Sequence, residues 1–172
     1  MVKILKLDMI SAAKNSDSLV KLLQDSVKNG ASVSFLNPLS DSAAESYWRE
    51  VFAEINSAQI IVWAAFDDDD NLVGSVQLAP AKMQNAKHRA MVQKLMVISN
   101  HRREGIGSAL MDTLELEAKK LGKKLLILDT RLGDPSETLY EQKDYIKFGI
   151  VPGYALNSSN DLDDMAFYFK II

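Results

Sequence analysis

The chain has 172 residues, 47% of them hydrophobic, with 20 Lys and Arg against 23 Asp and Glu for a net charge of −3. That size and apolar content suit one globular domain over residues 1–172 with a sizeable core, and the slightly acidic balance leaves no global positive field to recruit nucleic acid or an anionic membrane. With no cysteine there is no disulfide framework, thiolate nucleophile or Cys-based metal site, and with neither a signal-peptide core nor a long apolar run a soluble, cytoplasmic protein is expected.

Val2, Ile4 and Leu7 predict a short first strand, after which Leu19, Leu22, Leu23 and Val27 recur at helical spacing up to Gly30. Pro38 breaks the chain. Ser42 with Glu45 fits a capping box, and Ala44, Trp48, Val51, Phe52 and Ile55 form one face of a second helix. Trp48 belongs to that packing face, whereas Tyr47 falls outside it and is left to reach a pocket. The connection from Ala31 to Leu39 reads equally as a plain linker or as a loop walling a substrate site. Gln59 to Phe66 and Leu72 to Leu78 are β-branched, apolar runs that predict a hairpin around Asp67-Asp68-Asp69-Asp70-Asn71. Those carboxylates lack EF-hand spacing and predict a solvated turn. A polar loop from Pro80 to Lys87 then precedes the longest strand, His88 to Ile98.

At Arg102-Arg103-Glu104-Gly105-Ile106-Gly107-Ser108 the chain becomes basic and glycine-punctuated, and Ile106, Leu110, Leu114, Ala118 and Leu121 then recur at helical spacing to a cap at Gly122. A loop of this kind at a helix N-terminus offers unpaired amides and a positive dipole end to a phosphate, with Arg102 and Arg103 as added charge. It is not the dinucleotide fingerprint, whose third glycine is Leu110 here, nor a P-loop, since Gly107 is followed by Ser108-Ala109. Leu125 to Asp129 predicts a buried strand parallel to the one before the loop, with a crevice at the C-terminal ends of both. Asp134-Pro135-Ser136-Glu137 opens a short helix that carries Tyr140, and Tyr145 begins a further strand. Val151-Pro152-Gly153-Tyr154 and polar Asn157 to Asp164 read as a loop before a last strand, Met165 to Ile172.

Asp129 closes the apolar run Leu125–Leu128 at the crevice. It suits binding or deprotonation of an amine if burial raises its pKa, and equally a structural acid paired with Arg131 or a helix N-terminus. His88 and His101 are too few and too far apart for a metal site, so none is expected.

Together, Arg102 to Gly107 in its strand–loop–helix setting and the later helix with Leu139-Tyr140 resemble the GCN5-related N-acetyltransferase (GNAT) superfamily. Val92–Val97, Leu128–Arg131, Gly133–Ser136 and Val151–Tyr154 are similar to its tabtoxin-resistance-like subgroup. The pattern departs at three places: Asp134 stands where Asn is usual, Thr138 lies near a small-residue position, and Asp144 stands where glycine is common. The resemblance implies an α/β fold with a mixed, mostly antiparallel central sheet, a parallel strand pair around the cofactor crevice and helices on both faces. It implies acetyl-CoA as cosubstrate, its pyrophosphate held by Arg102, Arg103, Glu104, Gly105, Ile106, Gly107 and Ser108, with Asp134 among the cofactor contacts. It assigns pantetheine binding and carbonyl polarisation to the main chain at Met96 and Val97, and protonation of the departing sulfur to Tyr140. An amine attacks the thioester directly in this family, in keeping with a chain that lacks cysteine. The implied acceptor is a small primary amine, amino-acid-like or antibiotic- or toxin-like, and the implied assembly a monomer or homodimer. Protein N-terminal or lysine acetylation, and a silent acyl-CoA sensor, are the competing expectations.

Overall fold

The computed structural model describes residues 2–172. Strand β1 (Lys3–Lys6) leads into α1 (Met9–Lys14), which the periodicity does not predict because it is under two turns long. Its start is a reciprocal capping box: the Asp8 carboxylate accepts from the Ser11 amide at 2.7 Å and the Ser11 hydroxyl from the Asp8 amide at 2.9 Å. After Asn15 the chain enters α2 (Ser16–Lys28), which stops ahead of Gly30 with φ +76°. Helix α3 (Asp41–Asn56) is capped by Ser40, whose hydroxyl accepts from the Ala43 amide at 3.2 Å, and not by the expected Ser42–Glu45 pair. Ser40 holds extended backbone outside the helix, as a cap must, while Ser42 already lies within it.

The sheet follows. Strands β2 (Ile61–Phe66) and β3 (Leu72–Pro80) form the predicted hairpin, with the Asp67 carboxylate accepting from the Asp69 and Asn71 amides in an exposed turn. Then come β4 (Arg89–Val97), α4 (Ile106–Lys120), β5 (Leu125–Arg131), α5 (Ser136–Gln142), β6 (Ile146–Leu156) and β7 (Leu162–Ile171). The spatial order is β1-β2-β3-β4-β5-β7-β6, antiparallel throughout except for the β4–β5 pair. That is the mixed sheet with one parallel pair that the sequence predicts.

Two features of β6 correct the expected loop at Val151 to Tyr154. The strand continues through it, and the ladder jumps from Val151↔Met165 to Ala155↔Asp163, so Pro152 to Tyr154 bulge out. Pro152 is tolerated because β6 is an edge strand and the bulge spares it a ladder donor, and the Gly153 amide donates to the Asp164 carboxylate at 2.8 Å. Strand β7 therefore starts at Leu162, earlier than expected.

Two cores flank the sheet. On one face α4 and α5 pack over Trp63, Val76, Leu78, Leu126, Leu128 and Tyr168. On the other, α1 to α3 enclose Leu22, Leu23, Trp48, Val62, Ala64 and Met96, and this cluster draws on no residue of β5, β6 or β7. No helix of the described residues is long and apolar enough to cross a membrane.

The β4–β5 ladder has only three pairs, Arg89↔Leu125, Ala90↔Leu126 and Met91↔Ile127. Beyond them β5 stays with β7, and β4 stays with β3 through a bulge in which Lys94 and Leu95 stand opposite Val76. Lys94 takes φ +52° there, a left-handed conformation that turns the strand away from β5. A wedge opens between them. Gly74 lets β3 pass this bulge: a Cβ on it would lie 2.9 Å from the Met96 carbonyl oxygen and 3.2 Å from Leu110 Cδ1. Gly74→Ala is expected to cost about 1–3 kcal/mol through the resulting backbone shift, read by chemical denaturation. An unchanged midpoint would mean that β4 can move aside freely.

Candidate active site

Past Val97 the chain makes a short turn at Ser99–His101 and then reverses through two left-handed residues, Arg103 (φ +68°) and Gly105 (φ +80°), before α4 begins at Ile106. The first helical bond near this end runs from the Ala109 amide to the Gly105 carbonyl at 3.0 Å. Among the described residues, the amides from Arg103 to Ser108 find no acceptor, and no side chain caps the helix. Unpaired amides at a helix start are what an anion-binding loop requires. Its side chains are less uniform. Arg102 Nε donates back to the Val97 carbonyl at 3.2 Å, Glu104 pairs with His101 at 3.1 Å, and Ile106 is buried against Gly74. Glu104 and Ile106 thus have only their amides to offer, while Arg103 is exposed with no partner among the described residues.

The two glycines act differently. A Cβ at Gly105 would meet nothing within 4 Å, so its role is the backbone angle alone; a Cβ at Gly107 would lie 3.4 Å from Leu139 Cδ2 and 3.9 Å from Val97 Cγ2. Gly107 thus lies where the loop, the end of β4 and α5 meet, with room for a Cβ in ordinary contact.

In the wedge lies a cavity of about 80 Å³ lined by Val92–Leu95, Asp129, Thr130, Asp134, Ser136 and Tyr140, with Ala31–Val33 across from them. Its lining draws on both sides of the sheet, Ser32 and Val33 from the α2 side and Tyr140 from the α5 side. Tyr140 is 7% exposed, with Tyr145 and Tyr168 rings at 6.0 Å. Burial pushes its phenol well above the ordinary value and the Asp134 carboxylate adds to the rise, so at neutral pH it is a donor and not a base.

Asp129 is half-buried, and burial raises its carboxyl while the Lys94 charge opposes the rise. It is not the structural acid paired with Arg131. That guanidinium instead meets Asp134 at 3.3 Å, Asp163 at 3.6 Å and the Gly30 carbonyl at 3.0 Å. Asp134 is committed locally, accepting from the Ser136 amide at 2.9 Å as well as from Arg131. Thr130 and Ser136 share a hydrogen bond of 2.8 Å beside it. Met96 is buried towards α2 and α3 and Val97 packs on the α4 side, so both face the wedge only through the backbone.

Lys94 is the residue that sequence reasoning passed over. Its ammonium donates to the Val33 carbonyl (2.6 Å) and the Ser34 hydroxyl (3.0 Å) and lies 5.6 Å and 5.8 Å from the Phe35 and Tyr47 ring centroids. Burial lowers its pKa to about 8, with Asp129 opposing. The available signal was a lysine in the interior of a largely apolar strand. Tyr47 reaches this group by its ring, while its hydroxyl donates to buried Gln77 at 3.1 Å.

A larger cavity of about 460 Å³ adjoins the first through Ala31 and Ser32, walled by the 30–36 segment, Arg131, Asp163 and Asn157–Ser159. The Asn37 amide donates to the Ser158 hydroxyl at 2.9 Å and ties its two walls. The connection from Ala31 to Leu39 is therefore a wall and not a plain linker.

The chain is similar to known proteins in family and fold. Residues 25–145 match the model of the Acetyltransferase (GNAT) family. A Xenopus tropicalis protein named Probable N-acetyltransferase 14 is 30% identical over 83 residues, 48% of this chain and 38% of that protein, so the match spans well under half of that relative's length. Among solved structures, a ribosomal-protein-alanine N-acetyltransferase from Brucella melitensis gives a TM-score of 0.82 at 20% identity, covering 99% of each chain. A Salmonella typhimurium protein described as an acetyltransferase and solved with its cofactor acetyl-CoA gives 0.80 at 13% identity, over 99% of this chain and 94% of that one. At such identities the likeness is one of fold.

Two outcomes are expected at these residues. Gly105→Ala should destabilise the chain by about 1–2 kcal/mol through its left-handed angle, whereas Gly107→Ala should be nearly neutral in denaturant melts; equal losses would return both to a steric role. For Asp129, a folded pKa raised above the unfolded one gives stability that is full below the unfolded value and lost as pH rises through the folded value. Asp129→Asn should therefore melt higher than wild type near pH 7.5 and lose that advantage below about pH 4. A lower melting point of the variant at neutral pH would show that attraction to Lys94 outweighs burial.

Proposed function

The chain belongs to the GNAT family of acetyltransferases, and on that premise we propose that it moves the acetyl group of acetyl-CoA onto the amine of a small molecule by direct attack of nitrogen on the thioester. The observation that carries this reading is the wedge itself, which sets a protonated tyrosine and a partnerless carboxylate beside a loop of unpaired amides. Acetyl-CoA fits the donor set. The amides of Arg103 to Ser108 suit its pyrophosphate, Arg103 adds charge, and the edge of β4 at Met96 and Val97 is left unpaired by β5 for its amide-bearing arm.

When bound, acetyl-CoA supplies an activated acyl group on a thiolate leaving group. The chain's residues do the rest. Asp129 faces the wedge without an ion-pair partner closer than Lys94 and suits an incoming ammonium; its raised pKa also brings it nearer to the range of a useful base. Tyr140 keeps its proton at neutral pH and gives it up as the sulfur departs. Asp134 acts through Arg131 and Ser136, fixing the start of α5 and with it the position of Tyr140.

The adjoining cavity of about 460 Å³ lies within the 300–1,000 Å³ typical of small-molecule sites, and both signs of charge line it, through Arg131 and Asp163. That favours a compact polar amine over a polypeptide. Release of free thiol from acetyl-CoA, measured over a panel of small amines and N-terminal peptides, tests the reading. Turnover confined to peptides would replace the acceptor class, and cofactor binding with no turnover would leave a sensor. In the same assay Tyr140→Phe should lower kcat about 10²- to 10⁴-fold with acetyl-CoA affinity nearly intact. Full activity with an unchanged melting temperature would remove Tyr140 from the chemistry.

A further inference from the structure

The acceptor side of the wedge already holds an amine. Leu126 and Leu128 of β5 are buried in the core under α4, so strand alternation turns Asp129 to the other side of the sheet. Lys94 reaches that same side, where its Nζ meets Val33 and Ser34, and it lines one cavity with Asp129. Asp129 is the charge that acts on it from across the wedge. An acceptor entering from the larger cavity, walled by the 30–36 segment, brings its own amine beside this carboxylate.

Position, charge state and partners all fit Lys94 for acylation. It precedes Met96 by two residues, at most about 7 Å of strand, and a four-carbon stem spans that distance to the β4 edge assigned above to the thioester arm. Burial lowers its pKa to about 8, so roughly a quarter of it is uncharged at pH 7.5, against about one part in a thousand for an ordinary lysine. An ammonium carries three N–H donors and a neutral amine two. Its bonds to the Val33 carbonyl and the Ser34 hydroxyl therefore survive loss of the proton, with a lone pair left over. Tyr47, facing it from α3, is kept protonated by burial, and Phe35 carries no charge, so Asp129 is the neighbour that titrates with it.

We propose that Lys94 is a modification site, an acetyl acceptor within the chain itself: with no outside amine bound, the chain acetylates its own Lys94 Nζ from acetyl-CoA and so closes its acceptor side. The step rests on the acetyl-transfer reading above. The Nζ lone pair forms a bond to the carbonyl carbon, the C–S bond breaks, the sulfur takes the Tyr140 proton, and Asp129 takes the proton that nitrogen loses. Solvent then restores both residues. The amide formed is uncharged, so Asp129 loses its opposing cation and the acetyl group occupies the place of an incoming amine.

Mass spectrometry of the full chain incubated with acetyl-CoA and no amine tests it. One acetyl group should appear on Lys94 at a rate independent of protein concentration. Tyr140→Phe should slow this at least about tenfold and leave marking of exposed lysines such as Lys3 and Lys14 unchanged. Thiol release with a small amine should fall in proportion to the marked fraction. In the cofactor-free chain the Lys94 Cε resonance should titrate with a midpoint near pH 8; a midpoint near about 10 removes the neutral amine and overturns the proposal. Lys94→Arg keeps the charge and should take no acetyl group at this position; if it fails to fold, the wild-type peptide map decides. Lys94 unmarked while amines release thiol overturns the proposal and leaves the transfer reading standing, whereas no mark and no thiol release with any amine overturns both. Equal marking of Lys94 in wild type and Tyr140→Phe is spontaneous chemistry and also overturns it.

Discussion

The early parting of β4 from β5 is the constraint on which the rest of this molecule depends. Parallel strands normally continue their ladder, yet here it stops after Met91↔Ile127 because β4 follows β3 through a bulge at Lys94 and Leu95 while β5 follows β7. The bulge adds twist and leaves a row of backbone groups on each strand facing a gap. The candidate side chains that line the cavity then acquire their places from that gap. Asp129 and Thr130 stand on one bank, Lys94 on the other, and α5 closes the far side with Tyr140.

A gap of this kind has a low effective dielectric, and the charges in it must be managed. Lys94 is satisfied by a carbonyl, a hydroxyl and two aromatic faces, while burial lowers its pKa to about 8 and the Asp129 charge opposes that fall. The same contacts hold Val33, Ser34 and Phe35 against the sheet, so the cation that restrains this cavity wall also sits opposite Asp129. Arg131 is absorbed by Asp134, Asp163 and the Gly30 carbonyl, and this leaves Asp129 as the carboxylate without a close cation. Aspartate at position 134 thereby serves as both an ion-pair partner and an acceptor for the first turn of α5, a double task that asparagine could not perform by charge.

The second consequence of the topology is asymmetry between the two halves of the sheet. Three helices precede β2, and together they span only β1 to β4; a single connection, α5, follows β5 and lies on the opposite face. The distal strands therefore keep one apolar face open.

Much of this was legible in the sequence because it is local. Periodicity marked the main helices and strands, Gly105 and Gly122 marked left-handed positions, and the Arg102–Ser108 pattern marked a glycine-punctuated helix start whose unpaired amides follow from helix termination alone. The strand–helix–strand length also required β4 and β5 to be parallel. Other features were decided only by tertiary contact. The one-and-a-half-turn α1 is too short to show a period, and Val151–Tyr154 has the composition of a loop but stays in the sheet because an edge strand can bulge around Pro152. Lys94 reads as an ordinary strand lysine until its backbone turns left-handed and the 31–39 segment folds over it. Whether Asp129 pairs with Arg131 was open in the sequence because Arg131 finds its partners Asp134 and Asp163 in the loop after β5 and the far hairpin. Sequence spacing sets which groups are neighbours along a chain; which charge is left without a partner is settled only when distant segments compete for the same cation.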